Sequence, residues 1–263
     1  KIASFSEKIE ITMNEILRKQ FLRHVAQTSP APQLIEVARA EGVFFYPPEG
    51  KPYYDLVAGV SVSNVGHANP AVVKAVQDKA GKNMHIMVYG EMVERPQVEY
   101  ATRIAKLLPG DIDSVYFLST GAEAVEGALK LAKRYTARRE IISMRRAYHG
   151  STHGAMSVMG EPEGEEWKNA FRPLLPDCRA IDFNSFEELQ QITERTACVL
   201  CEPVQGEAGV RPPKEGYLQA LRKRCDEVGA LLIFDEIQTG MGRTGEMFAC
   251  VKYGVTPDII CLA

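Results

Sequence analysis

The stretch Leu231-Leu232-Ile233-Phe234-Asp235-Glu236-Ile237-Gln238-Thr239-Gly240 decides how this chain folds. Four apolar residues run into two carboxylates and then a polar turn closed by Gly240. A short apolar run without alternation reads as a strand buried on both faces, the habit of parallel sheets covered by helices. An Asp at the end of such a strand is presented to a ligand while partly shielded from water. There it would hold a cationic ring nitrogen well, because an ion pair strengthens as the dielectric falls. The same Asp would also suit a loop cap, or a metal ligand in an NTPase-like site. The phosphate-binding Lys of an NTPase site is missing.

The pattern recurs outward from this stretch. Apolar runs at 115–118, 141–144, 198–201, 231–234 and 259–262 alternate with helical stretches near 71–80, 96–108, 122–137, 185–193 and 216–228. Such alternation predicts an α/β fold with a mostly parallel sheet flanked by helices. Before it, residues 8–26 read as an amphipathic helix, with Ile16, Leu17, Phe21, His24 and Val25 near helical spacing. Residues 33–57 alternate around Pro47-Pro48-Glu49-Gly50, a hairpin signal. The expected organisation is a small N-terminal part over residues 1–70 and a large domain over 71–263, incomplete at its C-terminus. The acidic run 160–166 reads as a solvated loop.

The chain has 263 residues, a net charge of −3, 45% hydrophobic and 25% charged residues. That is an ordinary globular composition and excludes disordered, collagen-like and coiled-coil classes. The charge balance offers no basic footprint for nucleic acid. No apolar run approaches the ~18 residues of a membrane span. Nothing at Lys1-Ile2-Ala3-Ser4 suggests a secretory signal. The six Cys, all in the second half, read as reduced thiols of a cytoplasmic protein. Cys198 and Cys201 form a C-x-x-C inside an apolar run, which favours core packing over redox or zinc chemistry.

Four further motifs lie where ligands of α/β sheets bind, beyond the carboxyl ends of strands. Ser119-Thr120-Gly121-Ala122 leads into a helix, whose free N–H groups and dipole favour a phosphate. An ordinary turn capped by Ser119 or Thr120 reads equally well. Tyr148-His149-Gly150-Ser151-Thr152-His153-Gly154 offers an aromatic that could stack on a flat ligand, or simply pack. Its two His could suggest a metal, but no Cys or carboxylate nearby completes a set, and no metal site is expected. Glu202-Pro203-Val204-Gln205-Gly206-Glu207 crowds two carboxylates and an amide at a strand end. Asn64-Val65-Gly66-His67-Ala68-Asn69-Pro70 leads into a helix marked by Pro70.

Taken together, in this order and spacing, these motifs resemble the class III, fold-type I, pyridoxal-phosphate-dependent aminotransferases, from about residue 40 to the end. The most specific match combines Asp235-Glu236-Ile237-Gln238-Thr239-Gly240, Arg243-Thr244-Gly245 and 257–263. The resemblance implies a seven-strand-type sheet, pyridoxal 5'-phosphate as cofactor and ping-pong transfer of an amino group from an amino acid or ω-amino acid to a 2-oxo acid. It implies that Asp235 pairs with the ring nitrogen and Gln238 bonds the phenolic oxygen. Tyr148 and Ile237 would pack on the two ring faces. Gly121 and Ala122 would hold the phosphate, with Ser119 or Thr120 shaping the turn. Glu202 would stand behind Asp235, and Glu207 would pair with a substrate-gating Arg. Tyr89-Gly90-Glu91 would reach toward the partner of a homodimer. Ornithine-specific relatives carry an aromatic where Val60 stands, so Val60 leans toward 4-aminobutyrate or an N-acylated ornithine. The Schiff-base lysine is expected immediately after Ala263, so no catalytic residue of that kind falls within the chain. A covalently modified lysine at the next position is the expected reason for the break, ahead of a fragment or a naturally inactive chain. The rivals are a mutase or decarboxylase of the same fold, a non-catalytic chain, and a nucleotide-binding α/β protein.

Overall fold

The structure, a computed structural model, describes residues 15–160 and 167–263. Contacts divide the chain into two units, one running through Ala58 and resuming over Val65–Gln77, the other comprising Gly59–Asn64 and Asp78–Ala263. The acidic loop over 161–166 and residues 8–14 of the first expected helix lie outside the described residues.

In the first unit, helix α1 covers 15–24. A three-stranded antiparallel sheet follows, built from β1 (Arg39–Glu41), β2 (Phe44–Tyr46) and β3 (Tyr53–Tyr54). The turn signal at 47–50 does separate paired strands, β2 and β3. Cross-strand ring pairs hold them in register, Phe44 with Tyr54 at 4.5 Å and Phe45 with Tyr53 at 5.1 Å between centroids. His67 and Asp55 meet at 2.7 Å within the same unit.

The helices α2 (Pro70–Ala80), α3 (Arg95–Leu107) and α4 (Gly121–Thr136) lie within a residue of the sequence expectation. The second unit is organised by five parallel strands: β4 (Glu140–Met144), β5 (Cys178–Ile181), β6 (Thr196–Cys201), β7 (Leu231–Asp235) and β8 (Ile259–Cys261). Their order is β5-β4-β6-β7-β8. Every residue of central β6 is buried. Its alternate side chains enter two cores. Cys198 and Leu200 pack with Val125, Leu129 and Ala132 of α4. Val199 and Cys201 pack with Leu218, Leu221 and Cys225 of helix α6 (Tyr217–Val228), which follows the one-turn helix α5 (His153–Ser157). A last short helix, α7, spans Ala249–Tyr253. The two thiols of the C-x-x-C thus point to opposite faces of one strand, as core packing requires.

Three expectations are corrected. The described residues form five strands in this sheet rather than seven. Residues 115–118 are extended but unpaired among the described residues. Leu118 and Tyr116 lie over the bare Gly127 of α4, and the rings of Tyr89 and Tyr100 pack against Phe117. The helix expected at 185–193 is a 3-10 turn at Glu188–Gln191, enough to bury Leu189 and Ile192. Strand β5 escaped notice because it lies at the sheet edge and alternates, Cys-Arg-Ala-Ile. Among the described residues no helix is long and apolar enough to cross a membrane.

Burial also fixes the thiol chemistry. Desolvation pushes Cys198 and Cys225 up to about 12, and raises Cys201 and Cys261 well above the usual thiol range. Of this chain's six cysteines, only Cys178 is not fully buried. Alkylation of the folded protein followed by peptide mass spectrometry should modify Cys178 alone, the other five reacting only on unfolding. Rapid labelling of Cys198 or Cys201 in the folded state would contradict this packing.

Candidate active site

Adjacent parallel strands bring their carboxyl ends to one edge. In the order β4-β6-β7, the loops beginning at Arg145, Glu202 and Glu236 therefore emerge side by side. Asp235 ends β7 and is 4% exposed. Its Oδ2 lies 2.7 Å from Nδ1 of His149, whose ring is fully buried. A carboxylate is satisfied there only by a donor, so Nδ1 carries the proton and donates. The other carboxylate oxygen, Oδ1, accepts the Ile237 amide at 3.1 Å. His149 Nε2 is buried without a partner among the described residues.

Glu202, just past β6, is also buried. Its carboxylate accepts the Tyr148 amide at 3.3 Å and the Gly206 amide at 3.2 Å, tying the loops after β4 and β6 together. Burial raises its pKa to about 7. Asp235 adds to the rise, while His149 and the two amides oppose it. Glu236 turns the opposite way from Asp235. It accepts the Ala249 and Cys250 amides at 2.6 and 2.7 Å and so caps α7.

The start of α4 forms another wall of the cavity. Thr120 Oγ1 accepts the Glu123 amide and Glu123 Oε2 accepts the Ser119 amide, a capping box whose return bond reaches the residue before the N-cap. The Ala124 amide donates to the Thr120 carbonyl. The amides of Gly121 and Ala122 are left at the helix start with no partner among the described residues. Ile237 packs over this end, where a side chain at Gly121 would come within 2.8 Å of Ile237 Cδ1.

The remaining wall comes from Gly59 to Val62. Gly59, Val60 and Ser61 take successive left-handed φ values of 64°, 62° and 65°. For the β-branched Val60 this costs about 1–2 kcal/mol. Gln238 Nε2 lies 3.5 Å from both the Val60 carbonyl and Glu207 Oε1. Its amide rests on Gly206, where any side chain would meet Gln238 Oε1 at 1.5 Å.

These walls enclose a cavity of about 590 Å³. Of the residues singled out from sequence, Val60, Thr120, Gly121, Ala122, Tyr148, Glu202, Glu207, Asp235, Ile237 and Gln238 line it. Ser119 does not; its amide is taken by the capping box. Sequence reasoning missed the role of His149, and also missed Val62 as a lining residue. His149 stands beside Tyr148, but nothing local signals that it meets an Asp 86 positions later. Among the described residues no cluster of three or more His, Cys, Asp or Glu could hold a metal. Chemically, the cavity lining combines a buried carboxylate, two unpartnered amides at a helix start, an aromatic ring and an apolar side chain. That suits a flat ligand with a cationic ring atom and an anionic tail.

A family model described as "Aminotransferase class-III" matches residues 25–263. An acetylornithine aminotransferase of Clostridium acetobutylicum is 41% identical over 86% of this chain and 58% of its own length. A putrescine aminotransferase of Pectobacterium atrosepticum is 42% identical over 82% of this chain and 47% of its own length. Among solved structures, taurine:2-oxoglutarate aminotransferase from Bifidobacterium kashiwanohense, in complex with PLP and glutamate, matches with a TM-score of 0.85. It is 29% identical over 94% of this chain and 60% of its own. The chain thus spans about half the length of these curated relatives.

The raised pKa of Glu202 has a measurable sign. Between its ordinary 4.5 and about 7 the folded state binds the extra proton, so the stability Glu202 carries is full below 4.5 and lost as pH rises through 7. Urea denaturation should show Glu202→Gln gaining on the wild type by up to about 3 kcal/mol across that window. A stability difference independent of pH would contradict the assignment.

Proposed function

The chain belongs to the class III aminotransferase family, and on that premise we propose that the protein carrying it is a pyridoxal-phosphate-dependent aminotransferase. The observation that carries this reading is Asp235, buried in the lining of the same cavity as the unpartnered amides of Gly121 and Ala122. The cavity fits the cofactor by donor chemistry: a buried carboxylate needs a cationic partner, and free helix-start amides need an anion. When bound, the cofactor supplies a cationic ring that stabilises negative charge at the substrate carbon bearing the amino group.

The chain's own residues then divide the work. Asp235 holds the proton on the ring nitrogen by charge, and His149 fixes the direction of that carboxylate through its 2.7 Å bond. The Gly121 and Ala122 amides, with Thr120, hold the phosphate. Tyr148 and Ile237 cover the two ring faces and exclude water from them. Gln238, seated on Gly206, donates toward the ring's phenolic oxygen. Glu202 stands behind Asp235 and anchors Tyr148 by its amide.

The donor we propose is an amino acid or ω-amino acid without a second free ammonium to orient, and the acceptor a 2-oxo acid, in ping-pong order. The apolar Val60 and Val62 in the wall support this, as does the likeness to an acetylornithine aminotransferase. We also propose a homodimer and a cytoplasmic setting. The exposed Met84, Val93, Tyr116 and Tyr135 support the first, and six unpaired cysteines the second.

Two assays test the reading in the full-length protein. Asp235→Asn should lower amino transfer by about 100-fold, the scale of losing one preorganised electrostatic partner. Unchanged turnover would contradict the role of Asp235. N-acetylornithine or 4-aminobutyrate should outperform ornithine as donor, and a preference for ornithine would overturn the substrate class.

A further inference from the structure

Glu126 lies outside the cavity, yet one of its oxygens gathers more hydrogen bonds than any group lining it. Glu126 Oε1 accepts Thr152 Oγ1 at 2.6 Å, the Gly154 amide at 2.9 Å and the Ala155 amide at 3.1 Å. Thr152 is the N-cap residue of α5 and makes no capping bond with its own side chain. The cap is delivered instead by a carboxylate from α4. The fit leaves no slack, because a side chain at Gly154 would meet Glu126 Oε2 at 2.1 Å.

Four residues earlier on α4, Ala122 holds the same loop. Gly150, at φ 115°, comes so close that a Cβ there would lie 2.6 Å from the Ala122 Cβ. Residues i and i+4 share a helix face, so Ala122 and Glu126 form one seat for residues 150–155. That loop begins with Tyr148 and His149, and His149 is bonded to Asp235. The helix whose start offers the Gly121 and Ala122 amides to the cavity therefore also fixes the loop that carries Tyr148 and His149.

We propose that Glu126 is a positioning residue that sets the register between the amide-lined end and the Tyr148–His149 end of the cavity. It thereby sets the affinity for a ligand that spans both. This rests on the reading of the cavity as a pyridoxal phosphate site. Glu126 touches no ligand atom and acts through Thr152 and the backbone of α5. Pyridoxal phosphate spans both ends, whereas inorganic phosphate needs only the amides. A register fault weakens the first ligand and spares the second, whereas general loosening of the fold weakens both.

The test is a visible-range titration of the full-length apoprotein with pyridoxal phosphate, with inorganic phosphate as competitor. It compares wild type, Glu126→Ala, Glu126→Gln, Thr152→Ala and the Glu126→Ala/Thr152→Ala double variant. Glu126→Ala should weaken pyridoxal phosphate about tenfold or more, the scale of losing hydrogen bonds to a charged group. The inhibition constant of inorganic phosphate should stay at its wild-type value. Glu126→Gln keeps an acceptor oxygen of the same reach and should recover most of the affinity. The double variant should be no weaker than Glu126→Ala, because both remove one interaction. Should Glu126→Ala fail to fold, Thr152→Ala, which removes one of the three bonds, should weaken pyridoxal phosphate by a smaller factor and likewise leave the inorganic phosphate constant unchanged. Wild-type affinity in both single variants, or equal loss for both ligands, would overturn this inference alone. A wild-type protein that fails to bind pyridoxal phosphate would overturn the proposed function and this inference with it.

Discussion

A carboxylate and an imidazole, both out of contact with water and 2.7 Å apart, govern the site end of this sheet. Burying either group alone costs several kcal/mol, so each constrains where the other can be. Asp235 is fixed by β7, and His149 belongs to the loop after β4, with β6 between them. The pair therefore ties two loops together across an intervening strand. Glu202, at the end of that strand, completes the tie by accepting one amide from the loop after β4, Tyr148, and one from its own loop, Gly206. The loops have little freedom left, and the cavity is a consequence of how they are held.

Close packing does the rest, and glycine makes it feasible at two points. Gly150 takes a φ that L side chains rarely adopt and lies against Ala122 at a distance no Cβ would allow. Gly206 leaves the space that the Gln238 amide fills. Both bring polar backbone or side-chain groups toward the cavity from elements that are far apart in sequence. The strained wall at Gly59 to Ser61 fits the same pattern, with non-optimal backbone kept where it shapes a binding surface.

Much of this was legible in the sequence. The apolar runs of β4, β6 and β7 are buried on both faces, so they lack alternation and stand out, and half-buried β8 at the sheet's other edge is apolar throughout. Edge strand β5 alternates and hides among loops. The run at 115–118 misleads because its apolar character serves packing on α4 and on nearby tyrosines rather than strand pairing. In the site, residues at strand ends and helix starts were readable because their chemistry is local, as with Asp235 and the Thr120–Ala122 turn. His149 and Glu126 were not, because each has meaning only through a partner brought close by the fold. For His149 that partner is 86 positions away, and for Glu126 it is 26 to 29.

The account centres on Asp235 holding a proton on a cationic ring nitrogen deep in the cavity. The most direct measurement is the nitrogen NMR shift of ring-labelled pyridoxal phosphate bound to the full-length protein, followed across the neutral and mildly alkaline range. The account predicts a protonated ring nitrogen throughout in the wild type, and a deprotonated one in Asp235→Ala. A ring nitrogen that titrates in the wild type as it does in free pyridoxal phosphate would contradict it.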